Sequence, residues 1–101
     1  MKYDLYDLEI SVIGNQNTFN CSHIIGQTLV VKGENISFKK GTSQFSHYAI
    51  SALIPLIAAK QRQSEKEDWM NYETDIACPD PQCGARFRFK RTRKTTYEYG
   101  V

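Results

Sequence analysis

No stretch of this chain is apolar for anything near the roughly 20 residues a membrane-spanning helix needs. The opening Met1-Lys2-Tyr3-Asp4 is charged where a secretory leader would place its apolar segment. A cytoplasmic protein with no membrane partner is the expectation. Cysteine is scarce and odd in number, three among 101 residues, which argues against a framework of disulfides and for reduced thiols that are either buried or ligating. Glycine-rich phosphate loops are missing, since Gly33 and Gly41 stand alone as turn residues. No pair of carboxylates stands where a general acid and base would be sought, and the run Glu65, Glu67 and Asp68 reads as solvated surface. Internal repeats and low-complexity segments are lacking as well.

The residues present describe one small folded domain. A hydrophobic share of 41%, with five Phe, six Tyr and one Trp, is far from the composition of a disordered chain. Leu8, Ile10 and Val12 alternate with Glu9 and Ser11, the period-two mark of a half-buried strand, within a segment running from Leu5 to Ile13. Gln27 to Lys32 reads as a second strand closed by Gly33-Glu34-Asn35, and Ile36 to Phe38 as a short third. Phe45 to Lys60 is the best helix candidate. Its apolar positions nearly encircle the axis, Ser43 or Ser46 can cap its start, and Pro55 is expected to kink or split it. Trp69 is expected as a core plug. Thr74 to Cys78 and Ala85 to Arg91 read as a C-terminal hairpin, its second arm alternating Phe87 and Phe89 with Arg86, Arg88 and Lys90. Pro79, Asp80, Pro81 and a Gly84 free to take positive φ stiffen the turn between them. The predicted fold is α+β, an antiparallel sheet of about four strands packed on one kinked apolar helix. The domain is expected over residues 1–94, with a tail from 95 to 101.

Chemistry concentrates in two short clusters, Cys21-Ser22-His23 and Cys78-Pro79-Asp80-Pro81-Gln82-Cys83. A tetrahedral soft-metal site wants four thiolate or imidazole ligands, usually as two closely spaced pairs, because each pair can ride on one rigid turn. Cys21, His23, Cys78 and Cys83 supply such a set, with zinc as the expected ion. The competing reading treats the same cysteines as small buried hydrophobes and the 78–83 segment as a tight hairpin loop.

Three further readings follow from other features. Residues 86–101 carry six basic side chains against one acidic, net +5, while residues 1–85 carry seven against ten, net −3. Arg86, Arg88 and Lys90 are therefore candidates for contacting a nucleic acid or another anionic partner, set against a plain solvated strand face. A thiolate at Cys21 or Cys78, with His23 or His47 as base and Asp80 as orienting group, would imitate a cysteine-dependent enzyme. The apolar helix, over residues 48–59, would serve as the contact with a second copy of the chain.

The succession of an N-terminal strand, Cys21-x-His23-x2-Gly26, an aromatic ahead of a small-residue helix with Leu53-Ile54-Pro55-Leu56, then Trp69, Cys78-Pro79-Asp80-Pro81 and the Phe87/Phe89 strand is distinctive. Over Leu8 to Arg91 it resembles a family of small uncharacterised prokaryotic proteins of about 100 residues that share a C-terminal Cys-Pro-Asp-Pro hairpin. That resemblance implies a common fold and cysteine arrangement and carries no activity. Members often place a cysteine after the aromatic at the helix start, where this chain has Ser46 after Phe45.

Overall fold

A computed structural model describes residues 1–72 and 74–99. Among the described residues five strands form one antiparallel sheet in the order β3-β2-β1-β5-β4, at the five segments read as strands and slightly above the expected total of about four. They are β1 (Lys2–Ile13), β2 (Thr28–Lys32), β3 (Asn35–Phe38), β4 (Thr74–Ala77) and β5 (Arg86–Glu98), with one α-helix among the described residues, α1 (His47–Lys60), between β3 and β4. The fold is α+β.

The period-two pattern decides which face is covered. Leu8, Ile10 and Val12 of β1, Leu29 and Val31 of β2, and Phe87 and Phe89 of β5 are buried in one cluster with Ala49, Leu53 and Ile57 of α1. The three helical residues recur every fourth position, so they form one stripe along the helix. The remaining apolar helix residues do not share that burial, and Tyr48 and Ile54 are exposed. Pro55 does not break the helix, which is continuous from His47 to Lys60. Pro55 and Ser51, whose carbonyl the missing N–H leaves without its helical partner, both lie on the exposed side, where water can satisfy that carbonyl. Ser46 is the N-cap, its hydroxyl accepting from the Ala49 amide.

Two expectations are corrected. Trp69 is 55% exposed and does not plug the core; it stands in a one-turn 3-10 segment, Trp69–Asn71, whose buried residue is Met70. Nor is the chain a loose tail from residue 95 onward. β5 continues to Glu98, pairing Thr95, Thr96, Tyr97 and Glu98 with Leu5, Asp4, Tyr3 and Lys2. A bulge makes this extension possible: Asp7 pairs with Arg93 and Leu8 with Arg91, leaving Thr92 as the extra residue. The Thr92 hydroxyl donates to the Asp7 carbonyl at 3.1 Å, and the buried Asp7 carboxylate accepts from Thr95 at 3.1 Å and Tyr97 at 3.3 Å. These polar contacts hold the strand where apolar alternation has run out. Residues 100 and 101 lie outside the described residues.

No helix among the described residues is long and apolar enough to cross a membrane.

Candidate metal centre

Two loops meet at one end of the sheet, and backbone geometry explains why. Leaving β1, the chain turns at Gly14, whose φ of 123° is closed to most side chains. It then enters a short 3-10 turn, Gln16–Thr18, capped by Asn15. On the other side, the β4–β5 connection is tightened by Asp80. Its carboxylate accepts from the Gln82 amide at 2.9 Å and its carbonyl from the Cys83 amide at 3.0 Å. The loops are tied directly: the Gly84 amide donates to the Thr18 carbonyl at 2.9 Å, and the Asn20 side chain donates to the Gln82 carbonyl at 2.7 Å. Gly84 earns its place by proximity and not, as expected, by a positive φ. A Cβ there would fall 1.9 Å from Thr18 Oγ1 and 2.6 Å from Thr18 Cβ.

This docking brings Cys21, His23 and Cys78 together, their donor atoms all within 4.8 Å of one another. Cys21 Sγ is 3.7 Å from Cys78 Sγ, and Cys78 Sγ is 3.6 Å from His23 Nε2. Such a group can hold a metal ion. Cys83, the fourth predicted donor, is buried and lies outside that mutual radius. All three cysteines are free thiols.

His23 is 3% exposed. Its ring sits edge-on to Phe87 at 5.1 Å and tilted against Phe45 at 6.4 Å. Burial holds its pKa below the ordinary imidazole value, which favours the neutral ring that a metal requires. Nδ1 is buried with no hydrogen-bond partner, and Nε2 faces only a thiol. A buried polar atom left so costs about 1–3 kcal/mol; a cation on Nε2 would replace the thiol contact there and leave Nδ1 as it is.

The sulfurs differ sharply. Cys21 is pushed up to about 12, first because its proton is shared with Cys83, then by burial and the neighbouring Cys78. Burial also acts to raise Cys83. That effect is outweighed by the hydrogen bond from Cys21 and by backbone N–H groups of Ala85, Asn20 and Cys21, which draw Cys83 down to about 7. Backbone amides aimed at a sulfur stabilise its thiolate, the form in which cysteine ligates.

The cysteine-enzyme arrangement is assembled only in part, with Cys78 Sγ 3.6 Å from His23 Nε2. Asp80 lies 3.9 Å from Cys21 Sγ, but the His23 nitrogen it would have to orient is unpartnered. His47 is exposed and packs on Tyr48 at 4.1 Å. On the basic strand, Arg86, Arg88 and Lys90 face away from Phe87 and Phe89. Arg88 grips Asp75 of the neighbouring strand through two bonds of 2.9 and 3.0 Å, and its hydrogen bond holds that carboxyl below the usual carboxylate range. Arg86 donates to the Ala85 carbonyl at 2.8 Å, and Lys90 is exposed.

Asn20, Thr18 and Gly84, which make the site possible, were not among the predicted site residues. The one hint in the sequence is that they flank the cysteines. No family model, curated protein or solved structure matches the chain.

Proposed function

We propose that this chain is a small accessory or binding domain whose loop end is fastened by a structural zinc ion. Cys21, His23 and Cys78 would be its ligands, with Cys83 as the fourth. The spacing of the donors carries this reading. With Zn–S bonds of about 2.3 Å and Zn–N bonds of about 2.0–2.1 Å, a tetrahedron has edges of about 3.8 Å between sulfurs and about 3.6 Å between sulfur and nitrogen. The structure has 3.7 and 3.6 Å on those edges. Thiols in ordinary contact reach the same separations, so the reading rests on three donors converging within 4.8 Å of one another, and a disulfide would hold its sulfurs at about 2.05 Å. Cys83 would have to move in toward the other three donors to take the remaining corner.

Zinc would deprotonate the thiolates, and its binding free energy would add to folding. The ion would fix the 14–27 segment to the β4–β5 hairpin and so set the surface this end presents to a partner. The resemblance to small proteins with the Cys-Pro-Asp-Pro hairpin agrees with a shared scaffold and adds no chemistry.

Native mass spectrometry on protein purified without an affinity metal tests this directly. One zinc per chain is expected, with Cys78→Ser weakening binding by more than about 100-fold, beyond the cost of losing an outer-shell group. A chain that stays metal-free in the presence of zinc, with all three thiols freely alkylated, would sink the reading.

A further inference from the structure

The sulfur cluster is not sealed. Cys21, His23 and Cys78 line a cleft of about 410 Å³ together with Asn20, Tyr48 and Asp80. Cys21 is half-exposed, Cys78 is buried behind it at 3.7 Å, and Cys83 is not part of the lining. A zinc site that is purely structural gains nothing from a solvent-filled approach to its ligand sulfurs. A sulfur that meets small solutes first, with a second sulfur immediately behind, has the arrangement of an attacking and a resolving thiol.

We propose that Cys21 is an oxidation site for small hydroperoxides, with Cys78 as its resolving partner, and that its reaction releases the metal. This rests on the zinc reading above. The Cys21 thiolate attacks one oxygen of hydrogen peroxide; an S–O bond forms, the O–O bond breaks, and hydroxide leaves to be protonated to water. Cys21 is then a sulfenic acid. Attack by the Cys78 thiolate on Cys21 Sγ forms the S–S bond and expels a second hydroxide, again protonated to water. Two sulfurs have lost two electrons in total and one peroxide has become two waters. Both sulfurs have also lost the thiolate charge that held the cation, leaving His23 and Cys83, too few ligands to retain zinc tightly. Closing the bridge requires the sulfurs to approach from 3.7 Å to about 2.05 Å, within reach of side-chain rotation on loops outside the regular strands. Tyr48 and Asp80 at the cleft walls offer hydrogen-bonding groups to a peroxide.

The experiment uses the full chain loaded with one zinc per molecule and treated with a modest excess of hydrogen peroxide. A chromogenic chelator follows released zinc, and peptide mapping locates the bridge. The expected result is one zinc released for each Cys21–Cys78 disulfide formed, a mass loss of two hydrogens, and recovery of binding after a dithiol reductant and fresh zinc. Zinc retained while peroxide is consumed, release without a bridge, or a bridge that omits Cys21 each overturns the proposal. Should the chain take up no zinc, the metal reading fails by itself. The same peroxide treatment of the metal-free chain at alkaline pH, where the raised Cys21 thiol begins to ionise, then decides the oxidation site: a Cys21–Cys78 bridge supports it and its absence refutes it.

Discussion

At the scale of single residues, Gly84 has the least room for a side chain among the described glycines. It lies directly after Cys83, donates its amide to Thr18, and has the Thr18 hydroxyl where its own Cβ would be. Gly84→Ala therefore cannot leave the docked loops in place, because the contact includes the Thr18 Cβ at 2.6 Å and not merely a mobile hydroxyl. The expected outcome is a destabilisation on the order of 2 kcal/mol by urea titration, together with a 10- to 100-fold loss of zinc affinity, the usual effect of disturbing the shell behind the ligands. Full-strength zinc binding in this variant would show that loop docking does not position the sulfurs. Cys21 and Cys78 themselves were legible in the sequence as clustered donors. Thr18 and Gly84 were not, since a close approach between residues 66 positions apart leaves no local pattern, and a glycine after a cysteine reads as an ordinary turn.

Among the elements, the C-terminus of α1 shows how polar contacts finish what apolar periodicity begins. Arg91 of β5 donates to the carbonyls of Lys60 at 2.8 Å and Arg62 at 2.7 Å and to Asn71 Oδ1 at 3.0 Å, while its guanidinium stacks over Tyr6 at 4.4 Å. The buried Lys60 ammonium in turn donates to the carbonyls of Met70 and Tyr72. One planar fork therefore caps the helix and ties it to the segment leading into β4. Lysine cannot reproduce three divergent donors and a stacked plane. Arg91→Lys is expected to lower stability by about 1–3 kcal/mol, seen as a lower urea midpoint with an unchanged slope; an unaltered midpoint would mean that the fork is redundant. In the sequence this arginine was one of a basic run and carried no sign of a capping role. The strands of the core were legible because each offers an alternation to read. Trp69 was misjudged because its size argued for burial while its 3-10 turn turns Met70 inward instead, and the extension of β5 was missed because Asp7, Thr95 and Tyr97 hold it by hydrogen bonds.

For the molecule as a whole, the core and the candidate metal centre occupy adjoining regions but rest on different forces. Burial of Leu8, Ile10, Leu29, Leu53, Phe87 and Phe89 owes nothing to a cation, so the sheet and helix should persist when metal is removed. The loops 14–27 and 78–85 are joined to each other by the Thr18–Gly84 and Asn20–Gln82 hydrogen bonds, and reach the core through Phe19, Cys78, Cys83 and Ala85. Metal linkage should therefore act unevenly. Zinc at 100 times its dissociation constant adds about 2.7 kcal/mol to global stability, and a strong chelator should lower Tm accordingly while leaving the far-ultraviolet dichroism of the sheet intact at room temperature. Amide exchange separates this from a general weakening, because local opening has its own free energy. Chelation should speed exchange in the two loops, at the Gly84 and Cys83 amides above all, and leave β1 and β5 protected from Leu8 to Val12 and from Phe87 to Arg91. Equal exchange in these loops with and without chelator would mean that hydrogen bonds alone fasten this end of the molecule, and the converging sulfurs would then be packing after all.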